Sequence, residues 1–279
     1  MSGWLLAVSL FISVLPAAPR ILVHGHRGAR AVRPENTLPA FEYALGLGVD
    51  VLEMDLAVTR DNVVVVSHDP ELGPPICAGP QPHALIRQLN LAQVRLWDCG
   101  GVRNPAYPRQ TLVPGARIPT LDQVLDLASR GTFDFNIETK IFAARPEVTP
   151  SPEEFARLVL ERVRKHKLES RVILQSFDFR TLAAMKRLAP EIRRAALWEG
   201  APRDFVAIAR EAGATIVSPQ FKLVTNEQVQ AAHRSGLQVV PWTANTPEDW
   251  QRLIEAGVDA IITDDPAALI GFLRARKLR

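Results

Sequence analysis

DVLEMDLAVT, residues 50–59, decides the fold. Side chains alternate along a strand, so Leu52, Met54, Leu56 and Val58 share one face while Glu53, Asp55 and Ala57 share the other. The apolar face can pack beneath helices, which points Glu53 and Asp55 into the centre of a barrel. The next apolar run repeats the scheme: Phe133, Phe135 and Ile137 face one way, and Asp134, Asn136, Glu138 and Lys140 the other. A third acid, Glu138, therefore falls near the C-terminal end of the neighbouring strand, the end where barrel enzymes carry their chemistry.

Working outward, strands are expected at 21–24, 51–57, 133–138, 171–175, 194–198, 214–218, 237–242 and 259–263. Helical patterns follow them at 37–46, 121–130, 152–166, 179–188, 203–212, 225–235, 247–256 and 266–275. This alternation predicts a parallel sheet with helical crossovers, and eight repeats predict closure into a (β/α)8 TIM barrel. The length of 279 residues suits one such domain, for which ~250 is typical. Helix starts carry their own signals: Ser151-Pro152-Glu153-Glu154 and Thr246-Pro247-Glu248-Asp249 each give a cap, a first-turn proline and early acids. Gly200, Gly213, Gly236 and Gly257 fall near element ends. Residues 70–117 break the rhythm with many prolines and glycines and one short helical piece at 89–98. They are expected as an insertion after the second strand, lying over the mouth, or else as a scaffold loop.

An apolar share of 47% with 23% charged residues describes an ordinary globular chain. A net charge of +3 without a run of five basic residues excludes a nucleic-acid footprint, and RVRKHK at 162–167 sits on a helical pattern as a solvated face. Residues 3–15 are an apolar run followed by Pro16-Ala17-Ala18-Pro19. The run is shorter than the ~20 residues of a spanning helix and suits a signal peptide. Residues 1–18 are thus expected to be a signal peptide or N-terminal anchor, and 19–279 a barrel domain in the periplasm or outside the cell, without a stable membrane span after processing. An uncleaved anchor or a buried N-terminal segment stays open, since no Lys or Arg precedes the run. Cys77 and Cys99 form one disulfide if the chain is exported and are free thiols if it is not; two cysteines make no zinc site by themselves.

Three converging acids repel one another unless a cation joins them. All-oxygen ligands favour one hard divalent ion, Ca2+ or Mg2+; the alternative is an ion-pair network with Arg27 and Lys140. His24 and His26 end the first strand, and His68 ends VVVVSHD. Imidazole titrates near neutrality, which makes histidines at strand ends beside carboxylates acid/base candidates; His24 reads as a buried support. The guanidinium of Arg27 suits phosphate oxygens, and Lys140 offers a second cation.

At this point the chain resembles the glycerophosphodiester phosphodiesterase family of TIM barrels. The resemblance is carried by HRGARAVRPENTLPAF (26–41), LEMDLAVTRDNVVVVSHD (52–69), IPTLDQVLDLA (118–128), NIETK (136–140), QSFD (175–178) and GVDAIITDDP (257–266), in order along nearly the whole chain. It implies His26 and His68 as the acid/base pair, Glu53, Asp55 and Glu138 as ligands of a divalent metal, and Arg27 and Lys140 around the phosphate. Gln175 and Trp242 fall at pocket-lining positions, although Trp242 can instead close the core. Within RPENT, Asn36 or Thr37 is expected to cap the first helix, and Glu35 to be structural; Asp264 is either a polar residue at the pocket edge or the cap of the last helix, with the cap preferred.

The implied reaction is hydrolysis of a small glycerophosphodiester such as glycerophosphocholine to sn-glycerol 3-phosphate and an alcohol. Three other functions compete. A metal-dependent amidohydrolase barrel would need further histidines after the middle strands, where WEG (198–200) and SPQ (218–220) have none. Lysophospholipase D-type action on lysolipids would need an apolar groove across 70–117, hinted at only by Leu96-Trp97. A non-catalytic ligand-binding barrel would be expected to lack one of the five central residues, and all five are present.

Overall fold

The computed structural model describes residues 20–279, so the expected leader at 1–18 lies outside the described residues. Every expected barrel strand forms: Leu22–Gly25 (β1), Val51–Val58 (β2), Asp134–Thr139 (β3), Val172–Ser176 (β4), Arg193–Trp198 (β5), Ile216–Pro219 (β6), Gln238–Val239 (β7) and Ala260–Thr263 (β8). Consecutive strands from β1 to β7 pair in parallel, and β8 pairs with β1, setting Gly25 opposite Thr263. The Asp259 amide donates to the Val239 carbonyl (3.1 Å) and the Ile262 amide to the Pro241 carbonyl (3.0 Å), carrying the ring round from β8 to the β7 segment. β7 is shorter than the expected 237–242 because Pro241 has no N–H to give a ladder.

The helices are Leu38–Leu47 (α1), Leu121–Leu125 (α2), Pro152–His166 (α3), Phe179–Leu188 (α4), Phe205–Ala212 (α5), Asn226–Arg234 (α6), Pro247–Ala256 (α7) and Pro266–Ala275 (α8). The segment expected as a single helix over 121–130 tightens after α2 into a 3-10 turn at Asp126–Arg130. Caps follow the sequence signals. Ser151 accepts from the Glu154 amide, Thr246 from Asp249, and Gly213 and Gly257 end α5 and α7 in left-handed conformations. Thr37, not Asn36, caps α1. One expectation is corrected: α8 is capped by Asp265, which accepts from the Ala268 amide, and this releases Asp264 for another role.

The parity read at 50–59 is the parity observed. Leu52, Met54, Leu56, Phe135 and Ile137 pack outward into the main core under the helices, while Ile173, Ala195, Ile216, Val240, Ala260 and Ile262 fill the barrel interior. Burying one such side chain contributes about 1.5–3 kcal/mol. Removing the Phe135 ring, which lies between β3 and the helices, would cost about 3–5 kcal/mol.

Residues 70–117 build a small unit with its own core. A two-stranded hairpin (Glu71–Leu72 with Ala84–Leu85), a 3-10 turn and the short helix Leu91–Val94 enclose Leu72, Ile86, Val94 and Trp97 around the Cys77–Cys99 disulfide. Trp97 is 2% exposed, a core residue and not part of a lipid groove; its neighbour Leu96 is 62% exposed. The unit stands beside the mouth and grips the loop between β1 and α1. Gln110 Nε2 donates to the carbonyls of Arg30 (2.6 Å) and Arg33 (3.0 Å), Arg109 pairs with Asp265 (2.8 Å), and the Arg30 guanidinium lies 4.9 Å from the Tyr107 ring centre. Among the described residues no helix is long and apolar enough to cross a membrane.

Candidate active site

A cavity of about 360 Å³ opens at the C-terminal ends of the strands, lined by residues on or just after β1 to β5, after β7 and on β8, with His68 from the turn after β2, and by none from 70–117. His26 and Arg27 enter it on a turn that only glycines permit. A Cβ on Gly25 would sit 2.3 Å from the Gly28 carbonyl oxygen, and Gly28 has φ +85° with the backbone of Ala40 2.7 Å from where its Cβ would be. Arg27 itself is left-handed (φ 49°), which lets its amide donate to Glu53 Oε2 (2.9 Å) while its guanidinium reaches other acids.

Glu53, Asp55 and Glu138 present oxygens that all lie within 4.8 Å of one another, and all three residues are buried. Their register explains this: in the β2–β3 ladder Asp55 is opposite Glu138, and Glu53 is two residues before Asp55 on the same face. Lys140 Nζ is 2.7 Å from Glu138 Oε1 and 3.2 Å from Asp55 Oδ1, and Arg27 Nε is 3.0 Å from Asp55 Oδ2. The Arg27 guanidinium also binds Glu35 (2.6 Å), and Asn36 Nδ2 donates to Asp55 (3.0 Å). The RPENT segment thus supports the cluster, with Glu35 outside it.

Charge balance decides what the cluster suits. With all four buried carboxylates ionised, Glu35 included, the two cations leave an excess of two negative charges, which one divalent cation would neutralise. Asp55 Oδ1 and Glu138 Oε1, buried side by side, both face the Lys140 ammonium, so one cation already joins the two strands' acids. The ion-pair network foreseen as the alternative is present, and it balances the charge only while Glu53 and Glu138 hold protons. Burial and the neighbouring Asp55 push Glu53 well above the usual carboxylate range, and burial raises Glu138 against the pull of Lys140. Asp55 goes the other way: burial opposes its charge, but Arg27 and Lys140 outweigh burial and hold it well below. An all-oxygen set of this kind fits a hard cation.

His26 is 8% exposed; its Nδ1 lies 2.5 Å from Asp264 Oδ1, and its Nε2 is 3.9 Å from Glu53. Burial pushes the imidazole down to about 4, against the opposing pull of Asp264. Burial would raise Asp264, but His26 and Arg30 outweigh it and keep the carboxylate ionised. A neutral ring beside a carboxylate donates its Nδ1 proton there, leaving the Nε2 lone pair free. His68 is more exposed, with Nδ1 2.7 Å from Asp69 Oδ1. His24 is buried away from the cavity lining near Asn136, the support position expected of it.

Gln175 donates to Glu53 Oε1 (2.8 Å) and accepts from Asn136, so it both lines the cavity and fixes an acid. Trp242 lines the cavity too, held by its indole N–H to the Ser218 carbonyl (2.8 Å), with Phe177 edge to face at 5.4 Å. Sequence reasoning missed Arg30 and Phe177, and for Asp264 it preferred the helix cap to the pocket edge, where the structure places it. The signal for Asp264 was topological: once the barrel closes, β8 neighbours β1, and the residue after Thr263 stands beside the residue after Gly25.

Comparison with known proteins gives one answer. The model of the glycerophosphoryl diester phosphodiesterase family matches residues 26–268. A glycerophosphodiester phosphodiesterase of Caldanaerobacter subterraneus is 31% identical over 255 residues, covering 91% of this chain and 98% of that protein. One from Bacillus subtilis is 30% identical, covering 88% and 84%. The crystal structure of a candidate glycerophosphoryl diester phosphodiesterase from Silicibacter pomeroyi superposes with a TM-score of 0.87 at 32% identity, over 93% of this chain and 95% of that one. An Oleispira antarctica phosphodiesterase, solved with the product sn-glycerol-3-phosphate, shares the fold at TM-score 0.78 and 23% identity, over 91% and 97%. The chain belongs to the glycerophosphoryl diester phosphodiesterase family and is a phosphoric diester hydrolase.

Proposed function

We propose that this hydrolase cleaves small glycerophosphodiesters such as glycerophosphocholine to sn-glycerol 3-phosphate and an alcohol, with Ca2+ or Mg2+ held by Glu53, Asp55 and Glu138. The observation that carries this reading is the trio of buried acids with oxygens all within 4.8 Å of one another, beside two histidines each braced by a carboxylate. A bound divalent ion supplies charge neutralisation at the phosphodiester oxygens. Arg27 and Lys140, already at the cluster, hold the phosphate and stabilise the charge that builds on it in the transition state. His26, neutral and oriented by Asp264, takes the proton of the attacking hydroxyl at Nε2; that hydroxyl belongs to water or to the glycerol 2-position. His68, from the turn after β2 and braced by Asp69, gives the departing alcohol its proton.

Export to the periplasm or the exterior is part of the proposal. The apolar run at 3–15 and the Cys77–Cys99 bond both support an oxidising compartment.

The test is glycerol 3-phosphate release from glycerophosphocholine by the purified protein, with EDTA and after adding back Ca2+ or Mg2+. Release is expected to need the metal and to vanish in His26→Ala and Glu53→Ala. Full activity after exhaustive chelation would remove the metal from the proposal, and full activity of His26→Ala would remove the base.

A further inference from the structure

The mouth of the barrel is chemically divided. The ends of β1 to β3 carry the acids, histidines and phosphate-binding cations, whereas the residues after β4, β5 and β7 place Phe177, Glu199 and Trp242 on the remaining wall of the same cavity. A phosphodiester has two limbs, so one of them must lie along that wall.

We propose that this wall is a subsite for a positively charged alcohol limb, and that Glu199 sets the preference for it. The inference rests on the function proposed above. Phe177, 41% exposed, meets Trp242 edge to face, and the Lys140 ammonium lies 6.0 Å from the Phe177 ring centre. The aromatic corner therefore begins next to the phosphate-binding cation. Four carboxylates line the cavity. Glu53 and Glu138 belong to the ionic cluster, and Asp178 is engaged by Arg180 (2.5 Å). Glu199, exposed at the rim of the cavity, has no hydrogen bond or ion pair with any described residue. Aromatic rings and an unpaired carboxylate lining one wall attract an ammonium group, leave a neutral alcohol indifferent and repel an anionic one. The substrate class that fits is a glycerophosphodiester whose alcohol bears an ammonium head.

The experiment compares kcat/KM for glycerophosphocholine with that for glycerophosphoglycerol, whose alcohol is neutral, in the wild-type chain and in Glu199→Gln and Phe177→Leu. The ratio is expected to favour the choline diester in the wild type and to fall about fivefold in each variant, through KM. Calorimetry with free choline alone is the second readout, with binding to the wild-type protein weakened by a similar factor in Glu199→Gln. An unchanged ratio in Glu199→Gln overturns the subsite, and so does an equal loss on both diesters, which would place the shared glycerol limb on this wall. If neither diester is hydrolysed, the proposed function fails first, and choline binding then decides the subsite: sensitivity to Glu199→Gln supports it, and absence of binding sinks it.

Discussion

At the residue scale, the contact that most constrains the chemistry is the 2.5 Å approach of His26 Nδ1 to Asp264. Asp264 also takes Arg30 (2.8 Å) and Asn245 (2.8 Å), so it is itself held on three sides. In Asp264→Asn the amide can turn its NH2 toward Nδ1 and favour the tautomer protonated at Nε2, which abolishes the base. We expect kcat to fall by about 100-fold with KM changed little, and an unaltered circular dichroism spectrum; a loss under about fivefold would mean that Asp264 serves packing alone. The same residue predicts a pH profile. A base must be unprotonated, and burial has lowered His26 to about 4, so kcat/KM should hold on its acid side down to about pH 5 and decline as pH falls through that lowered value. An acid limb with a midpoint near 6.5, the ordinary histidine value, would contradict the buried assignment. Strand parity alone was enough to read Glu53, Asp55 and Glu138 from the sequence, because a period of two leaves each residue only one face. For Asp264 the cap was preferred to the pocket edge because Thr-Asp-Asp-Pro offers two possible caps for α8, and the choice between them depends on a contact with residue 26, far away in the chain.

At the element scale, the insertion acts on the site through backbone. Gln110 and Thr111 bind carbonyls of the β1–α1 loop, and the Tyr107 ring supports Arg30, which in turn holds Asp264. The disulfide closes a 22-residue separation within that unit, and a loop of this length stabilises the folded chain by about 3 kcal/mol in the chain-entropy account. Replacing both cysteines with serine should therefore lower the denaturant midpoint by an amount equivalent to ~3 kcal/mol. It should also reduce kcat well below the temperature at which the barrel melts, as the grip on the His26 loop loosens. Equal midpoints in urea titrations of the two proteins would show that the unit is held by its Trp97 core alone. The sequence announced the regular helices closely, since each had a cap and a period. It was silent on how 70–117 packs, because turn residues mark where a chain bends and not what it bends against.

At the scale of the whole molecule, eight βα repeats close a ring whose one open end gathers acids from β2 and β3. The count of repeats was legible because each apolar run was bounded by turns; the division of the mouth was not, since it arises only when β4, β5 and β7 face β1 to β3 across the ring. That gathering must destabilise the metal-free barrel, and pH shows by how much. Glu53 and Glu138 are raised by burial, so the metal-free protein holds protons there over a range where the unfolded chain has lost them. Their contribution to stability is present at low pH and lost as pH rises through the raised values, the reverse of an ordinary ion-paired carboxylate. A divalent ion must displace those protons, so its affinity rises with pH as they leave. At a thousandfold excess over Kd the ion adds about 4 kcal/mol, on the order of 10 °C in Tm for a domain of this size. Differential scanning calorimetry with Ca2+ or Mg2+ against EDTA should thus show a rise in Tm that is larger at pH 8 than at pH 6, and Glu138→Gln should shrink it at both. A metal effect independent of pH would mean that the acids are already ionised in the metal-free fold, and no effect with either ion would leave Arg27 and Lys140 as the cluster's only counter-charges.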